Sequence, residues 1–202
     1  MKLIGMLDSP YVRRVAISAK RLGIALEHES VSVFRHFEQF QQINPVVKAP
    51  TLVLDDGEVL MDSTLILDYL EAVAGKSLLP SDLKQRARAL RLIGLSLAAC
   101  EKSVQIYYER NLRPADIQYQ PWVERVESQL AAAYIALEAE LQKQSLPTDG
   151  DVIAQDGISV AVAWSFTNLV VPDQVDAARF PRIAQYTAYA ETLEAFISSP
   201  MA

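Results

Sequence analysis

The sequence predicts a chain in two parts: an α/β domain in the order βαβ, loop, ββα with a mixed four-stranded sheet, followed by an all-helical domain. Two observations carry this. Residues 1–76 alternate short strand-like and helix-like segments, whereas from residue 83 onward apolar residues recur at helical spacing with brief interruptions. The second is Asp55-Asp56-Gly57 between two apolar runs, a strong hairpin signal. The expected domains are therefore 1–76 and 83–202, joined by a linker at 77–82.

Leu3 to Leu7 reads as a buried strand. Ser9-Pro10 then supplies an N-cap followed by proline at the first helical position. Val12, Val15, Ala16, Ala19 and Leu22 follow at helical spacing, and Gly23 stops the helix. Arg13 and Arg14 lie on other faces of it, as a solvated surface or part of a subunit contact. Leu26 to Val33 is a second strand, parallel to the first if the helix crosses over. Arg35 to Ile43 is polar and partly helical, and the prolines in Asn44-Pro45-Val46-Val47-Lys48-Ala49-Pro50 make that stretch a loop. Thr51 to Leu54 and Glu58 to Leu60 form the hairpin. Asp62 or Ser63 caps the next amphipathic helix, through Leu65, Ile66, Tyr69, Leu70 and Val73, closed near Gly75.

From Leu83, the positions Ala87, Leu90, Ile93, Leu97, Cys100, Val104 and Tyr107 or Tyr108 mark one long helix to about Leu112. Arg113-Pro114 breaks it, Pro121 opens another to about Gln144, and Pro147 to Asp151 forms a turn. The segment around Ile158 to Val171 is apolar on nearly all sides, as for a helix inside a bundle. Phe180-Pro181 begins a last helix containing Ile183, Tyr186, Tyr189, Leu193 and Phe196, with fraying after Ser198.

Composition narrows the function. Half of the 202 residues are apolar, enough for a substantial core, and a formal charge of -6 gives no reason to expect nucleic acid or an anionic membrane as partner. One cysteine, Cys100, cannot form an internal disulfide, and with His28 and His36 as the two histidines no metal site is expected. Cys100, deep in the long helix, reads as a core residue and His28 as one without a chemical role. The first apolar run meets Asp8 too early for a signal peptide, and no later run reaches the roughly 20 residues of a membrane span. A cytoplasmic protein is expected.

Ser9, Lys48, the Ala49-Pro50 bond and Asp62-Ser63 should converge if the first domain forms one sheet, because each sits at a strand end or helix start. Unpaired N–H groups at the helix starts favour a small acidic ligand. The runs Ser9-Pro10-Tyr11-Val12-Arg13-Arg14-Val15, Asn44 to Leu52 and Asp62-Ser63-Thr64-Leu65-Ile66 resemble, in sequence, order and spacing, the serine-type bacterial glutathione transferases. Ala154-Gln155-Asp156-Gly157-Ile158-Ser159 and Phe180-Pro181-Arg182-Ile183 resemble, more loosely, the buried and final helices of that family. The resemblance implies a thioredoxin-like N-terminal domain and a transferase-type helical bundle.

It also implies roles. Ala49, before a cis Pro50, would pair its backbone with the cysteinyl amide of glutathione; proline is the residue for which the cis form is cheap. Asp62 would accept from the α-ammonium and Ser63 would bind the α-carboxylate. Lys48, with His36 or Arg35, would face the glycyl carboxylate. Ser9 would donate to the sulfur and act as the catalytic residue. A free thiol titrates near 8.5, and a hydrogen bond to a charged group is worth roughly 1.5 to 3 kcal/mol, so Ser9 and its helix would lower the thiol pKa by about one to two units. The thiolate would then attack a small electrophile held by Tyr11, Tyr107 and Tyr108, although tyrosines at this spacing also serve as core or interface residues. No metal takes part. The family resemblance further implies detoxification chemistry and a homodimer through the helices around Leu65 to Val73 and Leu90 to Tyr108.

Ser9-Pro10-Tyr11-Val12 stands where a thioredoxin carries two cysteines, so disulfide exchange has no nucleophile, and Asp8-Ser9-Pro10 does not match the Ser-Ser-Cys motif of the isomerase branch. Three positions depart from the family pattern: Val47 replaces a common glycine, Asp62 a longer glutamate, and Ile153 the Ser or Thr that boxes with Asp156. The alternatives are a non-catalytic protein-binding factor, like the bacterial starvation proteins that contact RNA polymerase, and a carrier of apolar ligands.

Overall fold

The computed structural model describes residues 1–150 and 153–201. The turn expected at 147–151 reaches Asp151, which lies outside them. Contacts divide the chain into two units, residues 1–78 with the segment from Leu193 on, and residues 79–192.

In the first unit, β1 (Lys2–Ile4) pairs in parallel with β2 (Glu27–Glu29) and antiparallel with β3 (Thr51–Val53), and β3 pairs antiparallel with β4 (Val59–Met61), giving the order β2-β1-β3-β4. Side chains alternate across a strand, so neighbouring residues serve opposite layers. Leu3 and its partner Leu52 pack with Val12, Val15, Ile66 and Leu70 of α1 (Pro10–Leu22) and α3 (Ser63–Ala74). Ile4 and Val53 pack with Val31 and with Phe40 of α2 (Phe37–Ile43) on the other side. This is the thioredoxin-like arrangement, a mixed sheet between helical layers.

The strands are shorter than their apolar runs. β1 ends at Gly5, whose φ of 133° turns the chain out of the sheet. β2 consists of Glu27, His28 and Glu29, not of Leu26, Val31 or Val33, because it is an edge strand and its charged residues guard the edge. Lys2 bridges Glu27 and Glu29 at 3.2 Å each.

The second unit contains α4 (Leu83–Asn111), α5 (Gln120–Lys143), α6 (Gln155–Val170) and α7 (Pro181–Ala190). α4 buries Ala89, Leu92, Ile93, Ser96, Ala99, Cys100, Ser103 and Ile106, while Leu90 stays half exposed. The buried stripe is thus rotated from the one the large apolar residues trace, since Ser96 and Ser103 hide their hydroxyls by donating to the carbonyls of Leu92 and Ala99. α6 is buried on nearly every side. Its Thr167 hydroxyl meets Tyr134 of α5 at 2.6 Å and Ser103 of α4 at 2.8 Å. The N-terminus of α7 is closed by Glu138 of α5, which accepts from the N–H groups of Arg182 and Ile183 at 3.0 and 3.1 Å.

The last helix is not continuous. α7 stops at Ala190, and α8 (Glu194–Ile197) belongs with the first unit. Arg13 of α1 explains this: its guanidinium lies 5.3 Å from the Phe196 ring centre and its Nε donates to the Ser199 carbonyl at 2.8 Å. Lys20 donates to the Ser198 carbonyl at 2.6 Å. Ser199 is therefore buried rather than frayed. Arg13 and Arg14, expected on a solvated or subunit-contact face, are 2% and 3% exposed.

Candidate functional site

Ser9 caps α1. Its Oγ accepts from the Val12 N–H at 3.5 Å and its own N–H donates to the Met6 carbonyl at 3.1 Å. The cap occupies a lone pair and leaves the hydroxyl proton for another acceptor. Gly5, at the start of this turn, packs against the loop that carries Ala49: a Cβ on Gly5 would come within 2.7 Å of Val12 Cγ2 and 3.1 Å of Ala49 Cβ. The Ala49–Pro50 bond is cis.

Asp62 caps α3, accepting from the Thr64 N–H at 2.9 Å through Oδ1, while Oδ2 lies 3.8 Å from Lys48 Nζ. Both side chains are about half exposed, so this ion pair is weak and exchangeable. Ser63, the first residue of α3, has an N–H that no intrahelical carbonyl can reach. Its buried hydroxyl accepts from Arg14 Nη1 at 3.1 Å, and the same nitrogen donates to Thr64 Oγ1 at 3.2 Å. Since Arg14 takes a lone pair of Ser63, the Ser63 proton is turned away from it, as at Ser9.

His36, the N-cap residue of α2, is exposed, and its Nδ1 accepts from the Ser32 N–H at 3.2 Å, which leaves Nε2 facing outward from that bond. Arg35 reaches Met6 Sδ at 3.3 Å. Tyr11 is partly buried in the first unit. Tyr107 and Tyr108 belong to the second, 37% and 40% exposed with ring centres 6.3 Å apart, so they are not core residues. His28 is spent on the Gly5 carbonyl at 2.7 Å. Among the described residues there is no cluster of three His, Cys, Asp or Glu side chains able to hold a metal, and no helix is long and apolar enough to cross a membrane.

Residues 3–77 match the family model of the glutathione S-transferase N-terminal domain. Glutathione S-transferase theta-2 of Rattus norvegicus is 30% identical over 98% of this chain and 82% of its own length. The chain belongs to the glutathione S-transferase family. A crystal structure of a glutathione S-transferase from Methylobacterium radiotolerans, in complex with glutathione sulfonate, superposes with a TM-score of 0.89 at 25% identity, covering all of this chain and 95% of that one. A glutathione transferase family member from Pseudomonas fluorescens with bound glutathione gives 0.83 at 28% identity over 100% of this chain and 98% of its own.

For this glutathione S-transferase family member, sequence reasoning missed that Arg14 is buried and donates to Ser63 at the start of α3. The signal was present: an arginine two positions after Val12 and one before Val15 sits close to an apolar stripe. Charge alone, however, reads as surface.

Proposed function

We propose that this transferase binds glutathione and activates its thiol for attack on a small electrophile, with transfer of an alkyl or aryl group to sulfur. The observation that carries the reading is that two helix N-termini in one unit each present a serine whose lone pair is already held by a protein donor. Ser9 and Ser63 are thereby set to donate, and each does so where helix N–H groups favour negative charge.

In this reading Ser63 receives the γ-glutamyl carboxylate, with Arg14 behind it adding positive charge. The ligand ammonium takes Asp62, freeing Lys48 for the glycyl carboxylate together with the Nε2 of His36. The ligand thus replaces a weak exposed ion pair with two of its own. The backbone of Ala49 pairs with the cysteinyl amide. Ser9 donates to the sulfur and stabilises thiolate over thiol, so that attack on carbon and departure of the leaving group follow at neutral pH. Tyr11, two residues beyond Ser9, is a proposed contact for the electrophile. Glutathione is the co-substrate, no metal is used, the reaction is cytoplasmic, and a homodimer is supported by the exposure of Leu65 and Val73, 66% and 51%.

The test is calorimetry with glutathione on wild type and Ser9→Ala, paired with the ultraviolet absorbance of bound thiolate against pH. Ser9→Ala should keep most of the affinity and raise the bound thiol pKa by about one to two units. An unshifted thiol in the variant removes Ser9 from the mechanism. Absence of binding in the wild type replaces the enzyme with the protein-binding factor.

A further inference from the structure

Among the described residues two non-glycine residues have positive φ, Val47 at 51° and Asp62 at 74°. A β-branched residue in that region is a clear outlier and persists only where its surroundings over-determine it. Val47 immediately precedes Lys48-Ala49, and Asp62 immediately precedes Ser63, so the strain lies at both segments through which the proposed site would hold glutathione. One side chain connects them. Asn44, 4% exposed, accepts the Val46 N–H on Oδ1 at 3.0 Å, and its carbonyl accepts the Val47 N–H at 2.9 Å. Its Nδ2 donates to Thr51 Oγ1 at 2.8 Å and lies 3.7 Å from the sulfur of Met61, the residue before Asp62. The Thr51 hydroxyl, its lone pair filled by Asn44, donates onward to the Lys48 carbonyl at 2.7 Å.

We infer that Asn44, acting through Thr51, is a positioning residue that holds the Val47-Lys48-Ala49 loop in its strained, ligand-ready form and keys it to the strand leading into Asp62-Ser63. This rests on the proposed binding of glutathione. The relay runs one way: amide N–H to Thr51 oxygen, Thr51 O–H to Lys48 carbonyl. A residue at 51 that cannot both accept and donate breaks it. Thr51→Val keeps the shape and removes both bonds, Thr51→Ser keeps both, and Asn44→Asp keeps the acceptor for Val46 but loses the donor.

The experiment measures amide hydrogen exchange in the ligand-free protein and glutathione affinity by calorimetry for all three variants. Thr51→Val and Asn44→Asp should speed exchange at Val46 and Val47 by roughly tenfold or more and weaken glutathione by about tenfold, while amides of β1 and α3 keep their protection. Thr51→Ser should restore both readouts. If a wild type that binds glutathione is matched in affinity by Thr51→Val and Asn44→Asp, the inference is overturned. It is equally overturned if exchange rises uniformly through the unit, which is the mark of a merely structural role. A loosened loop in variants of a wild type that does not bind glutathione overturns instead the functional reading beneath it.

Discussion

Arg14 and Ser63 meet at 3.1 Å, guanidinium Nη1 to hydroxyl Oγ, and this contact ties the first helix to the N-terminus of α3. It places a buried positive charge where the helix itself is positive. In the reading above, the γ-glutamyl carboxylate is the negative charge that this corner is built to receive.

Arg14→Lys keeps the charge but cannot reach Ser63 and Thr64 with one planar nitrogen in the same orientation. Glutathione affinity should fall by roughly tenfold to a hundredfold, the range of a hydrogen bond involving a charged group. An analogue lacking the α-carboxylate should bind wild type and variant alike. Calorimetry on both ligands checks this; an equal loss for both would mean that Arg14 serves folding alone.

Phe196 is completely buried and carries the Arg13 guanidinium over its ring. Phe196→Ala should cost about 3 to 5 kcal/mol from the cavity it leaves, with a further contribution of roughly 1 kcal/mol from the lost cation–π contact. Denaturant unfolding measures the total, and hydrogen exchange should locate the loss in α1. A loss below about 1 kcal/mol would show that the segment after Leu193 does not brace the first unit.

Asp156 lies buried at the start of α6, and burial raises its carboxyl pKa above the ordinary 3.8, although its Oδ1 accepts from the Gly157 N–H at 2.9 Å. Between 3.8 and the raised native value the folded state holds more proton than the unfolded one. Stability therefore falls as pH rises through that window, and the full cost is present above it. Asp156→Asn keeps an acceptor for Gly157 and removes the titration. Its stability relative to wild type should climb across the window, by about 1.4 kcal/mol for every pH unit the window spans, as read by urea unfolding at a series of pH values. Parallel curves for the two proteins would contradict the raised value.

Elements governed by neighbours in sequence were legible. Ser9-Pro10 begins α1, Asp55-Asp56-Gly57 turns the hairpin and Asp62 caps α3, because a cap or a turn is decided within a few residues. Edge-strand length, the buried face of α4 and the break after α7 were not legible, since each depends on which surface arrives from elsewhere.

The candidate site divides in the same way. By itself the sequence determined the order of elements and, through its motifs, pointed to Ser9, Lys48, Ala49, Asp62 and Ser63. Only the tertiary structure decided that Arg13 and Arg14 face inward and that Asn44 meets Thr51. Local chemistry sets where a helix starts, but the cost of burying a charge is repaid only by its partners. For Arg13 the carbonyl that accepts its Nε is 186 residues away along the chain.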